Sequence, residues 1–132
     1  MRIFVDGVFD MFHFGHLRLL QRARSLGDFL VVGVHSDEVC ASYKRKPFLG
    51  MEQRCEIVRA LKIVDQVLAD VPLLVTREFI QTHNIDLVVH GDDNLYSDFY
   101  RIPAEMGIMR YVPYTEGIST TELIAWVQER VP

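Results

Sequence analysis

His13 and His16 stand three residues apart at the end of the segment D-G-V-F-D-M-F-H-F-G-H, Asp6 to His16. At the start of a helix both side chains can face one site, and Gly15 between them lets a ligand come close to the backbone. A helix N-terminus there also favours a phosphate, because its N–H groups lack partners. The same H-x-x-H spacing suits capping or solvent-facing histidines. A metal pair is a third reading, which needs another ligand such as Asp10 or His35. A second segment, Y-T-E-G-I-S-T-T-E-L from Tyr114 to Leu123, has Gly117 for a tight turn and Ser119 or Thr120 to cap the helix that follows, with Glu122 at the capping-box position. Entered from a glycine turn, such a helix start is a phosphate cradle. Two further clusters carry charge. Lys44, Arg45 and Lys46 lie consecutively in the aperiodic stretch Ser42 to Gly50, an exposed loop with the character of a lid. Asp92 and Asp93 follow an apolar run, where adjacent carboxylates are costly to bury unpaired.

The elements that must position these residues alternate. Ile3 to Val5 and Leu30 to Val34 are β-branched runs expected as buried strands, and Leu19, Leu20, Ala23 and Leu26 recur between them at helical spacing before Gly27. The pattern continues with a helix over Met51 to Lys62, a strand at Gln66 to Ala69, a helix over Thr76 to His83 and a strand at Leu87 to Val89. A helix over Phe99 to Met106, a strand at Met109 to Val112 and a helix over Ser119 to Val131 complete it. This alternation predicts an α/β fold: a Rossmann-like, doubly wound parallel sheet of about five strands with helices on both faces. No linker, low-complexity run or repeat divides residues 1–132, so one domain is expected. Ligands of open α/β sheets sit beyond the carboxyl ends of the strands, which selects the loops Gly7 to His16, His35 to Gly50, His90 to Ser97 and Pro113 to Thr120.

Composition excludes several classes. The chain has 132 residues, a formal net charge of −4 and 49% hydrophobic residues, an ordinary balance for a folded soluble domain and a poor one for binding nucleic acid. Asp6 and Asp10 interrupt the apolar N-terminal stretch, which therefore reads neither as a signal peptide nor as a membrane span, so a cytoplasmic setting is expected. The two cysteines, Cys40 and Cys55, have neither C-x-x-C nor metal-ligand spacing. Leu123, Ile124, Trp126, Val127 and Val131 have the spacing of a core or subunit-contact face, and a homodimer is expected.

Taken together, H-x-G-H near the N-terminus and T-E-G-I-S-T-T near the C-terminus resemble the cytidylyltransferases of phosphocholine, phosphoethanolamine and glycerol-3-phosphate. The resemblance runs from about Ile3 to Ile124 and includes G-V-H-S-D-E at Gly33 to Glu38, E-Q-R at Glu52 to Arg54, the passage Ala60 to Val67 and H-G-D-D at His90 to Asp93. It leaves no room for the membrane-binding tail of the larger phosphocholine enzymes. It implies transfer of CMP from CTP to a phosphorylated small alcohol, giving a CDP-alcohol and pyrophosphate, with no covalent enzyme intermediate and with Mg2+ carried by the triphosphate. By the same resemblance His13, His16 and Lys44 are catalytic, with Lys46 or Arg45 in reserve for Lys44. The CTP-binding set is Gly7, Val8, Phe9, Asp10, Gly15, Arg54, Lys62, Asp92, Tyr114, Thr115, Glu116, Gly117, Ile118, Ser119 and Thr120. Lys44, Leu73, Asp93 and Tyr96 are the phosphoalcohol set. The sequence departs from the family at two places: Tyr114 stands where an arginine usually precedes T-E-G-I-S-T, and Leu73 where an aromatic residue is common. H-x-G-H also marks adenylyltransferases, so another NTP on the same fold, or a nucleotide-binding module without turnover, are the rival expectations.

Overall fold

The computed structural model describes residues 1–95 and 97–132. Five strands, β1 (Arg2–Gly7), β2 (Phe29–Val34), β3 (Gln66–Ala69), β4 (Leu87–Gly91) and β5 (Met109–Val112), form one sheet in the order β3-β2-β1-β4-β5. All pairings are parallel, with Val5 opposite Val32 and Val88 opposite Met109. Both faces are covered, so alternate residues of one strand enter different cores. Ile3, Val5, Leu30 and Val32 pack with Leu20 and Ala23 of α1 (Phe14–Arg24) and Cys55 and Val58 of α3 (Met51–Arg59). Phe4, Val31 and Val88 pack on the other side with Ile80 of α4 (Arg77–Thr82) and with Tyr100, which precedes α5 (Arg101–Glu105).

Three boundaries differ from expectation. The stretch after β2 contains a helix, α2 (Asp37–Tyr43), capped by Ser36, whose hydroxyl accepts from the Val39 N–H at 3.1 Å. Its Asp37 and Glu38 complement the helix N-terminus. Helix α3 ends at Arg59, so Lys62 falls in the exposed turn ahead of β3. The helix expected from Phe99 begins as a tight turn, Asp98–Tyr100, and becomes α-helical only at Arg101. The last helix, α6 (Thr120–Arg130), has no fully buried residue. The strand order reverses between β1 and β4, and a crevice opens there at the carboxyl ends.

Candidate active site

A cleft of about 510 Å3 occupies that crevice, and residues of all four loops singled out above line it. Its wall on the α1 side is a capping box made of two histidines. His13 is the N-cap, with extended backbone, and its Nδ1 accepts from the Gly15 N–H at 3.0 Å; His16 Nδ1 accepts in return from the His13 N–H at 3.1 Å. The rings stack with centroids 3.8 Å apart. An imidazole nitrogen that accepts from an amide carries no proton, so each neutral ring holds its hydrogen on Nε2. The pair therefore presents two N–H donors. Burial holds His13 below the usual histidine range; His16, more deeply set and next to His13 and Lys44, is pushed down to about 3. Phe9 closes the inner side, its ring 5.5 Å from that of His16.

This turn is conformationally expensive. Phe9 and Met11 both have left-handed backbone, with φ of 54° and 49°. Such residues cost on the order of 1–2 kcal/mol each, so their surroundings must hold them there. Gly15 is required for a reason other than ligand approach: a Cβ there would meet His13 Cε1 at 2.9 Å and displace the ring.

Opposite α1, the turn from β5 into α6 supplies Tyr114, Thr115, Ile118, Ser119 and Thr120 to the cleft. Gly117 sits at φ +84°, which a side chain would resist, and so turns the chain. Ser119 then caps α6 by accepting from the Glu122 N–H at 3.1 Å. Outside contacts hold this turn: Asp92 Oδ1 accepts from the Tyr114 N–H at 2.8 Å, and Arg22 Nη1 donates to Pro113 O at 2.6 Å and to Thr115 Oγ1 at 3.0 Å. Burial, with Asp93, Glu122 and Glu116 nearby, pushes the Tyr114 hydroxyl pKa up.

The basic loop forms the third wall, with Lys44, Arg45 and Pro47 lining the cleft and Lys46 outside it. Asp10 anchors its far end, accepting from the N–H groups of Phe48 at 2.8 Å and Leu49 at 3.0 Å. Sequence reasoning did not assign three residues here: Asp6 and His90, which line the floor, and His35, which lies behind Asp6. Asp6 is buried, accepts from the Tyr100 hydroxyl at 2.6 Å and pairs with His35 Nε2 at 3.2 Å. His35 Nδ1 in turn lies 3.0 Å from the Tyr43 hydroxyl, immediately before Lys44. His90 spends its Nδ1–H on Gly91 O at 2.9 Å, which leaves its Nε2 as an acceptor. Asp6 opens the motif D-G-V-F-D, so its place at the end of an apolar strand was the available signal.

Gly7, Val8, Phe9, Asp10, His13, Gly15, His16, Lys44, Asp93, Tyr114, Thr115, Ile118, Ser119 and Thr120 are thus brought together. Other expected residues lie elsewhere. Arg54 is fully buried and serves as a clamp, not as a ligand: Nε donates to Leu49 O at 2.9 Å, Nη1 to Val8 O at 2.8 Å and His35 O at 2.9 Å, and Nη2 to Asp37 Oδ1 at 2.7 Å. Lys62 precedes β3 and so sits at the amino end of the sheet, away from the cleft. Asp92 is off the lining because its carboxyl group secures Tyr114, and Glu116 and Gly117 face solvent at the outer bend. Leu73 lies in the loop after β3, also off the lining, and Tyr96 lies outside the described residues. The metal-pair reading of the histidines fails on its donors. Both Nδ1 atoms cap a helix, Asp10 holds the basic loop and His35 holds Asp6.

Comparison with known proteins gives a consistent result. The ethanolamine-phosphate cytidylyltransferase of Dictyostelium discoideum is 43% identical over 94% of this chain and 36% of its own length. That of Mus musculus is 40% identical over 94% of this chain and 32% of its own. The chain thus spans about a third of the length of these curated relatives. Among solved structures, a lipopolysaccharide core biosynthesis protein from Thermoplasma volcanium GSS1 superposes with a TM-score of 0.72 at 25% identity, covering 87% of this chain and 98% of its own. The Cytidylyltransferase-like family model matches residues 4–125, and the chain belongs to that family.

Proposed function

We propose that this chain transfers CMP from CTP to the phosphate of a small phosphorylated alcohol, releasing pyrophosphate. The observation that carries this reading is the pair of Nε2–H donors on α1, facing the basic loop and the α6 turn across one cleft. The acceptor's phosphate oxygen forms the new bond to the α-phosphorus of CTP, and the bond from that phosphorus to the bridging oxygen breaks, so pyrophosphate takes the electron pair. No protein nucleophile is needed. Negative charge grows on the oxygens of the reacting phosphorus and on the leaving group, and fixed donors there lower the barrier without reorganising. In this reading His13 and His16 donate from neutral rings, and Lys44 adds positive charge from the basic loop. Thr115, Ser119, Thr120 and the start of α6 hold the triphosphate.

Among the described residues, no three His, Cys, Asp or Glu are grouped to hold a metal ion. Asp93, an exposed carboxyl at the cleft, suits the water shell of an ion bound mainly to phosphate. Mg2+ bound in that way would neutralise charge on the β- and γ-phosphates. For the acceptor we favour a primary ammonium alcohol. Asp93 and His90 Nε2 offer hydrogen-bond acceptors to an N–H-bearing head, and the relatives reported above are named for ethanolamine phosphate. Leu73 lies off the cleft and does not enter that choice. Homodimeric assembly in the cytoplasm completes the proposal; the exposed Trp126, Val127 and Val131 offer an apolar surface for a second copy, and no helix among the described residues is long and apolar enough to cross a membrane.

The test is pyrophosphate release and CDP-alcohol formation across the four NTPs, with phosphoethanolamine, phosphocholine and glycerol-3-phosphate as acceptors and with EDTA as the metal control. CTP with phosphoethanolamine is expected to give the highest kcat/KM. Turnover with ATP and not CTP sinks the nucleotide assignment, and binding without turnover sinks the enzymatic one.

A further inference from the structure

The turn into α6 has acidic neighbours, Asp93, Glu122 and Glu116 near Tyr114, yet the adjoining cleft is read as a triphosphate site. Arg22, in the last turn of α1, is the cation that bonds this turn among the described residues. Arg110 is exposed near the start of edge strand β5, and neither it nor Lys62 lines the cleft. The Arg22 contacts join residues 91 and 93 positions apart.

Their chemistry is directional. A threonine hydroxyl has one hydrogen and two lone pairs; with an Arg22 N–H directed at one lone pair, the hydrogen turns to another acceptor. Thr115 lines the cleft, so an anion there is that acceptor. A hydroxyl that accepts from a guanidinium is also polarised into a stronger donor. The bond to Pro113 O fixes the turn on the other side of Tyr114.

We infer that Arg22 is a positioning residue for the triphosphate: it orients the Thr115 hydroxyl toward the phosphates and delivers, one hydrogen bond removed, a positive charge that Tyr114 cannot supply. The inference rests on the cleft being a CTP site.

The experiment uses the full chain, with Mg-CTP affinity from calorimetry beside kcat and KM for both substrates. Arg22→Met is expected to weaken CTP binding about tenfold, the lower end for a charge-assisted contact, while leaving KM for the phosphoalcohol unchanged. Thr115→Val should weaken it comparably, and the double variant should be no worse than Thr115→Val alone. Tyr114→Arg placed in the Arg22→Met background should restore CTP affinity. Wild-type affinity in Arg22→Met, losses that multiply in the double variant, or an equal rise in the phosphoalcohol KM would overturn the inference. If Arg22→Met fails to fold, Arg22→Gln keeps a donor and removes the charge, and unaltered CTP affinity in that variant also overturns it. A wild-type chain that binds CTP and makes no CDP-alcohol refutes the proposed reaction, while the binding measurements still judge Arg22.

Discussion

The turn from β1 to α1 is held from inside the protein, whereas the turn from β5 to α6 is held at its surface. Around the first, Phe9 is core, Arg54 is buried beneath Val8, and Asp10 ties the basic loop to it. Around the second, Arg22 and Asp92 hold the turn from outside, the Thr120 hydroxyl adds a 3.3 Å bond to Asp10 O, and the helix it leads into buries no residue completely. A strained backbone needs the first kind of support. An exposed turn of ordinary geometry, relieved by one glycine, can be held by the second. The division predicts that damage at the first turn lowers stability and turnover together, while damage at the second lowers substrate affinity with little loss of stability.

The most severe break is Arg54→Ala. It strips hydrogen bonds from Val8 O, His35 O and Leu49 O, and the loss is expected to be about 3–5 kcal/mol, seen as a fall in Tm of about 10 °C or more. Arg54→Lys should rescue little, because the bonds leave from three different nitrogens. A near-normal melting curve for Arg54→Ala would erase the distinction between the two turns.

Next in size is His16→Ala, expected to lose about a hundred- to a thousandfold in kcat, the usual cost of a donor aimed at transition-state charge. Because the donor is Nε2–H, His16→Gln, whose amide nitrogen reaches about as far, should retain more activity than the shorter His16→Asn. Equal activity in the two variants would argue that ring position, and not the proton on Nε2, is what matters.

The same ring sharpens the comparison through pH. His16 titrates near 3 when folded and near 6.5 when unfolded, so between those values the unfolded chain binds the extra proton. Stability contributed by the neutral ring is present above about pH 6.5 and is lost as pH falls toward 3, by a total on the order of 3–5 kcal/mol. Denaturation measured from pH 7 to 4 should show this slope, and His16→Gln should flatten it.

The smallest effect belongs to the surface-held turn. Ser119→Ala removes the α6 cap and should cost about 1 kcal/mol, visible as faster amide exchange in the first turn of α6. A global destabilisation as large as that of Arg54→Ala would show that the two turns are not distinct.

Much of this was legible in the residues. Strands read as β-branched runs because both faces of a parallel sheet are apolar, and their alternation placed the chemistry at the carboxyl ends. Helix α2 was missed because seven residues are too few for periodicity to register, although Ser36 followed by Asp37 and Glu38 is a start signal. Arg54 was misassigned for a different reason. It lies on the inward stripe of α3 with Cys55 and Val58, where spacing marks burial and residue type marks exposure. The carbonyl partners Val8 O and His35 O decide such a conflict, and they come from loops distant in sequence. The network from Tyr100 through Asp6 and His35 to Tyr43 was illegible for the same reason.

The histidine capping box has a consequence for anyone who edits this chain. A helix start is ordinarily improved by serine, threonine, asparagine or aspartate, and a stability-guided redesign will replace His13 with one of them. Each would accept from the Gly15 N–H as the imidazole does, and none is long enough to place a hydrogen where the imidazole carries its Nε2–H. The thermostable protein so obtained would have lost a donor without any visible defect in its fold. Position 13 is therefore a place where selection for robustness and selection for chemistry pull apart, and an improved melting temperature there is a warning.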